Sequence, residues 1–306
     1  MPFNIVFMGT PEFSLPTLEL LIKNKFNVIA AYTQPPQKSK RGQKINPSPI
    51  EDFCKKNNIK YFNPPDLNNE NELKNFKNLL PEIVIVVAYG QLIPKIYLTL
   101  PKYGFLNIHA SLLPKWRGAA PIQRAIINGD KKIGISIMQI VEKLDSGPVL
   151  ASKEIELKQS DTHGELEKKL SKIGADLLIE HLIKLKGDNF KFTDQIHAEA
   201  TYAKKIDKEE TKINWNLDSI KVLNHIHGLS PNPGAWFEYE NERFKVLRVS
   251  KSSVNGNPGT ILDDNLTIAC KSGSIEILEI QRQGKKKQTK KDFLLGKKIN
   301  KGKTLS

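Results

Sequence analysis

The stretch NIHASLLPKWRGAAP, Asn107 to Pro121, sets an amide and an imidazole two residues apart at the end of an apolar run. On a strand, alternate residues share a face, so Phe105, Asn107 and His109 line up while Leu106 and Ile108 point the other way. A carboxylate, Asp145 in KLDSGPVL, follows the next strand-like run and can approach the same crevice. An amide donor, an imidazole and a carboxylate suit acid–base work on a carbonyl: the carboxylate orients the ring, and the polar N–H groups steady a developing oxyanion. Ser111 lacks the GxSxG elbow of a nucleophilic serine, so direct acyl transfer to an amine fits better than a covalent acyl-enzyme. Taken alone, His109 reads more readily as a satisfied histidine at a strand edge. The elements around it decide between the two.

NIVFMG (Asn4–Gly9) and NVIAAYT (Asn27–Thr33) read as buried strands, with Leu15, Leu18, Leu21 and Ile22 between them at helical spacing. A helix is expected after Ser48, with Pro49 at its first position. EIVIVVAYG (Glu82–Gly90) reads as a central parallel strand buried on both faces; Phe105–His109 and Lys132–Ile140 supply two more. Leu166, Leu170, Ile173, Leu177, Leu178 and Leu182 mark a long amphipathic helix from Thr162. Strands alternating with helices argue for an α/β fold with a doubly wound parallel sheet, whose ligands bind beyond the strands' carboxyl ends. Residues 1–188 would form this domain and 189–205 a linker. Residues 206–306 would form a small antiparallel β-barrel, read from short alternating runs such as GAWFEYENERFKVLRVS.

The chain has 306 residues, 39% of them hydrophobic, which suits two soluble domains. No apolar run approaches the roughly 20 residues of a membrane span, and the N-terminus lacks a signal peptide's basic region. Cys54 and Cys270 form no metal or redox motif, which points to the cytoplasm. MGTPEF has one glycine where a dinucleotide fingerprint needs three, and no phosphate-binding GxxxxGK[ST] loop occurs. His225 and His227 stand two apart in an expected helix, where they do not face one another, so no metal is implied. The net charge of +14 favours a polyanionic partner. Ten basic residues against Asp292 alone crowd Gln281–Ser306, and Lys38, Lys40, Arg41 and Lys44 fall in a long Pro- and Gly-containing loop.

NIHASLLPKWRGAAP with LDSG resembles the signature of the formyltransferases that use 10-formyltetrahydrofolate. The resemblance implies a Rossmann-like formyltransferase core followed by an OB-like barrel. It makes Asn107, His109 and Asp145 catalytic and lays Ser111, Leu112, Leu113 and Pro114 against the folate. Trp116 and Arg117 either help hold substrate or shape the turn. Among family members, glycinamide ribonucleotide formyltransferases would end near the linker, and formyltetrahydrofolate hydrolases would carry an extra domain before the first strand. FMGTPEF, the basic loop TQPPQKSKRGQKINPSPI, HGLSPNPGAWF and the Lys-rich finish are similar to the branch that formylates methionyl-initiator tRNA. That resemblance puts Lys38, Lys40, Arg41 and Lys44 on the tRNA and implies no obligate protein partner or membrane. Amino-sugar formyltransferases, which share the core and a similar second domain, are the alternative, and a nucleic-acid-binding protein with a dead core is a further one.

Overall fold

The computed structural model describes residues 3–38, 45–184, 190–297 and 299–305. The chain packs as two compact units, the first made of Met1–Arg117, Gly134–Glu154 and Lys168–Tyr202. Its sheet has seven strands: β1 (Asn4–Gly9), β2 (Asn27–Tyr32), β3 (Tyr61–Phe62), β4 (Ile83–Val87), β5 (Phe105–His109), β6 (Lys132–Gln139) and β7 (Val149–Glu156). They lie in the order β7-β6-β5-β4-β1-β2-β3. Every residue of β4, IVIVV, is buried, and the strand pairs in parallel with β1 on one side and β5 on the other. Burying each such Val or Ile fully is worth roughly 1.5–3 kcal/mol, so this strand fixes the centre of the sheet. The helix Pro49–Lys56 begins as its sequence dictates: Ser48 Oγ accepts the Glu51 N–H at 3.0 Å, and Pro49 needs no hydrogen-bond acceptor there.

The sheet departs from the all-parallel reading at one strand. β6 runs antiparallel to β5, with His109 opposite Ser136 and Leu106 opposite Gln139. An apolar run carries no mark of its direction, and the short helix Pro121–Asn128 before it is no crossover onto the sheet. Instead that helix belongs to the second unit. The strand β7 and the helix Glu70–Asn78 also escaped the sequence reading. The first is an edge strand with mostly polar or half-exposed side chains, and the second buries only Phe76.

The second unit comprises Gly118–Ile133, Ile155–Glu167 and Ala203–Ser306. Its antiparallel sheet contains β8 (Ala235–Tyr239), β9 (Glu242–Ser252), β10 (Thr267–Ala269), β11 (Ser274–Arg282) and β12 (Lys287–Thr289), in the order β8-β9-β11-β10 with β12 also on β11. GTILDDN contributes isolated bridges at Thr260 and Ile261 rather than a full strand. The helix Ser219–Leu229 packs against Pro121–Asn128 so closely that a Cβ on Gly228 would lie 2.7 Å from Ile127 Cγ1. Arg124 grips both Glu210 carboxylate oxygens at 2.8 Å, and this bond holds the Glu210 carboxyl below its usual range. The basic C-terminal stretch is docked, not frayed: Phe293, Ile299 and Leu305 are buried in the core of this unit.

Histidines tie this unit together from inside. His227 donates through Nδ1 to the Gln159 carbonyl at 2.9 Å and accepts the Val249 N–H on Nε2 at 3.2 Å. His225 Nε2 donates to the Glu210 carbonyl at 2.7 Å. Burial lowers the pKa of both, and it pushes His163, 8% exposed, down to about 4. A buried neutral histidine resists protonation while the unfolded chain accepts the proton. Stability is therefore full above the unfolded pKa near 6.5 and is lost as pH falls from there towards about 4. For His163 alone the loss amounts to about 3 kcal/mol. Denaturant titrations at pH 7, 5.5 and 4.5 should show the stability of His163→Gln falling less steeply with pH than wild type; parallel slopes would refute this.

Candidate active site

β5 presents Asn107 and His109 on one face, in register with Met138 and Ser136 of β6. Asn107 is half-buried, and among the described residues nothing hydrogen-bonds its side-chain amide. His109 is buried. Its Nε2 lies 2.9 Å from the Trp116 carbonyl oxygen, and because a carbonyl only accepts, Nε2 is the donor. Nδ1 therefore is the nitrogen that faces Asp145, with Oδ2 at 3.7 Å, a charge contact too long for a hydrogen bond. Trp116 and Asp145 both have positive φ, 62° and 44°, where a side chain costs about 1–3 kcal/mol. Strained backbone thus stands on each side of one imidazole.

Asp145 reaches His109 by a route different from the expected one. Because β6 is antiparallel, it ends at Gln139, opposite Leu106 and away from His109. The loop 140–148 leaves and returns there, since the Gln139 N–H donates to the Pro148 carbonyl at 2.9 Å, and its excursion carries Asp145 to the imidazole. Ser146 closes the bend, its hydroxyl donating to the Lys143 carbonyl at 2.9 Å. The return leg is tight enough to require glycine: a Cβ on Gly147 would sit 1.9 Å from the Gln139 carbonyl oxygen.

The turn Ser111–Pro114 is rigid from within. Ser111, 1% exposed, donates its hydroxyl to the Lys115 carbonyl at 2.6 Å, so the serine side chain shapes the turn. Ser136 Oγ binds the Ser111 carbonyl at 2.8 Å and accepts the Leu113 N–H at 3.1 Å, which fastens the turn to β6. Leu113–Pro114 is cis, and Leu112, Leu113 and Pro114 remain half-buried. Around the site, the loops that follow the strands are pinned: Thr10 Oγ1 donates to the Tyr89 carbonyl at 2.8 Å and Ser14 Oγ to the Val87 carbonyl at 2.9 Å. These bonds give the polar residues of MGTPEFS a structural purpose.

Sequence reasoning missed an apolar fringe. Leu92, in the loop after β4, is 85% exposed, and Leu144 and Val141, in the Asp145 loop, are 61% and 38% exposed. Lys95 and Glu142 join the stretches that carry them, Nζ to Oε2, at 2.8 Å. Large apolar side chains inside otherwise polar loops, YGQLIP and VEKLDS, were the available signal. Among the basic residues assigned to the long loop, Lys38 has its backbone in a two-residue strand, Gln37–Lys38, paired with Ile45–Asn46. Lys40, Arg41 and Lys44 lie outside the described residues.

Residues 3–182 match the family model described as formyl transferase, and residues 205–298 match that of the formyl transferase C-terminal domain. The chain belongs to the formyl transferase family. Within that family, it is 48% identical over 304 residues to a methionyl-tRNA formyltransferase of Pelagibacter ubique, covering 99% of this chain and 98% of the relative. A methionyl-tRNA formyltransferase of Mesorhizobium japonicum is 44% identical, with 99% of each chain covered. The fold is shared with solved formyl transferases: a methionyl-tRNA formyltransferase from Clostridium thermocellum (TM-score 0.59, 20% identity, 81% of this chain and 93% of that one). An N-formyltransferase from Helicobacter canadensis, in complex with folinic acid and dTDP-3-aminofucose, superimposes with TM-score 0.69 at 17% identity over 92% and 99% of the chains.

For a formyl transferase built this way, the return leg of the Asp145 loop is a sensitive point. Gly147→Ala should lower formyl transfer at least tenfold, because the 1.9 Å approach leaves the loop no choice but to shift. Steady-state kinetics on the folded variant would check this, and wild-type turnover would show that the loop tolerates displacement.

Proposed function

We infer that this chain transfers the formyl group of 10-formyltetrahydrofolate to the α-amine of methionyl-initiator tRNA. One observation carries the chemistry: an Asn107 amide with no partner among the described residues, beside an imidazole held between the Trp116 carbonyl and Asp145. The acceptor follows from relatives of that name at 44–48% identity over nearly the whole chain.

The folate supplies a formyl group activated on N10. Asn107 offers its N–H donors to the formyl oxygen as negative charge develops there. His109 shares that face, and with Nε2–H committed to the Trp116 carbonyl its Nδ1 is the nitrogen that takes up a proton. Asp145, opposite Nδ1, meets the positive charge when the ring gains a proton, so the pair can carry a proton from the attacking amine, directly or through water, to N10. N10 leaves as tetrahydrofolate when the C–N10 bond breaks, and the formyl stays on the amine. The α-amine attacks in its neutral form, which is already a sizeable fraction near pH 7. The folate fits the residues at hand: Leu92, Val141 and Leu144 offer apolar surface for a flat ring, and the fastened Ser111–Pro114 turn gives it a rigid wall.

The tRNA is met by positive charge. In the second unit, a concavity of about 350 Å³ is lined by Arg282, Lys285, Lys286, Gln288, Phe293, Gly296 and Lys297. Arg282 and Lys297 are paired there with Glu242 and Glu240, which leaves the exposed Lys285 and Lys286 as the stronger candidates for phosphate contact. Lys38, Lys40, Arg41 and Lys44 remain the proposed contacts of the long loop, with the acceptor end of the tRNA. An enzyme of translation initiation works in the cytoplasm, and no described helix is long and apolar enough to cross a membrane.

The test is formyl transfer from 10-formyltetrahydrofolate to methionyl-initiator tRNA, with a nucleotide-linked amino sugar in a parallel reaction. Product on the tRNA alone is expected; product on the sugar alone would overturn the acceptor. Asn107→Ala and Asp145→Ala should each lower kcat by two or more orders of magnitude, and near-wild-type turnover would refute their roles. Lys285→Glu with Lys286→Glu should raise KM for the tRNA several-fold and flatten its rise with added salt, leaving the folate KM unchanged.

A further inference from the structure

The segment Gln195–Thr201, which composition marks as part of a connector, bonds to both backbone stretches that hold His109. At one end the Gln195 side chain uses its full hydrogen-bonding capacity. Its Oε1 accepts from Arg117 Nε at 3.1 Å and Nη2 at 2.7 Å, and its Nε2 donates to the carbonyls of Asp145 at 3.0 Å and Gly147 at 2.6 Å. Arg117 can only donate and the carbonyls can only accept, so the amide has one possible orientation. Arg117, 1% exposed, completes its contacts with His197 Nδ1 at 2.9 Å. At the other end, Thr201 Oγ1 accepts the Trp116 N–H at 2.9 Å, and the Thr201 carbonyl accepts the Arg117 N–H at 2.9 Å. Trp116 and Asp145 are the two partners of the imidazole, and both have positive φ.

We propose that Gln195 and Thr201 are positioning residues for formyl transfer, holding Asp145 and the Trp116 carbonyl on opposite sides of His109. The buried Arg117 guanidinium serves as the fixed post for Gln195. Strained backbone relaxes unless its surroundings determine it, and here two strained residues are bonded to a single seven-residue segment. This inference rests on the catalytic reading of His109 and Asp145 given above.

Gln195→Glu separates positioning from mere support of the fold. A carboxylate keeps an acceptor for Arg117 and adds an ion pair, but turns an oxygen without hydrogens towards the Asp145 and Gly147 carbonyls. The Asp145 loop must then move while the buried Arg117 stays satisfied. The expected result is a kcat lower by about 10–100-fold, KM values for both substrates within about twofold, and a displaced limb in the pH profile of kcat. The melting temperature should stay near that of wild type. Thr201→Val, an exposed change that removes only the acceptor of the Trp116 N–H, should lower kcat several-fold with the same KM pattern, and it gives the answer should Gln195→Glu fail to fold. Unchanged kcat and an unchanged pH profile in the folded variants would overturn the proposal. His109→Ala and Asp145→Ala run alongside: if they lose turnover while Gln195→Glu and Thr201→Val do not, positioning alone fails. If they too turn over like wild type, the catalytic reading beneath it fails.

Discussion

The hydrogen bond from His109 Nε2 to the Trp116 carbonyl is the contact on which the site depends. It commits one ring nitrogen to the protein, and thereby determines which nitrogen looks at Asp145. Making it requires the chain to turn back within seven residues, ending on a Trp116 of positive φ. The turn can hold that shape because Ser111 and Ser136 satisfy its backbone from inside. An imidazole free to flip about χ2 would present different ring atoms to a substrate, and neither nitrogen reliably.

Much of this was legible in the chain. Buried parallel strands announce themselves as unbroken apolar runs, and β4 was readable for that reason. Asn107 and His109 could be placed on one face from spacing alone, since strand alternation is a property of the backbone. The direction of β6 was not readable, because IGISIM has the same hydrophobicity from either end. With it went the path of the Asp145 loop, which enters from the opposite end of β5 and still delivers the carboxylate. Gln195 was hidden for a different reason: a polar residue in a polar stretch gives no sign that all its hydrogen bonds are internal.

The charge of the chain asks for a similar distinction between count and disposition. Of the basic residues at the C-terminus, Arg282, Lys287, Lys290 and Lys297 are engaged by Glu242, Glu279, Glu276 and Glu240 of the same unit. The Lys290 and Lys297 pairs fasten the terminal helix Lys290–Gly296, whose Phe293 is buried in the same unit, while the other two join strands of the sheet. A lysine that docks a helix through a carboxylate contributes little net attraction for a polyanion. The potential that a nucleic acid meets therefore comes from fewer residues than a tally of lysines suggests.

The Gln195 bonds also span great lengths of chain: 78 residues to Arg117 and 50 to Asp145. Contacts so distant in sequence close large loops and form late, after the local elements and the sheet core have condensed. During synthesis on the ribosome the strands that carry Asn107 and His109 emerge long before the residues that lock their surroundings. The fold core can therefore assemble as the chain grows, whereas the geometry around the imidazole is completed only once residue 201 is free to reach Trp116.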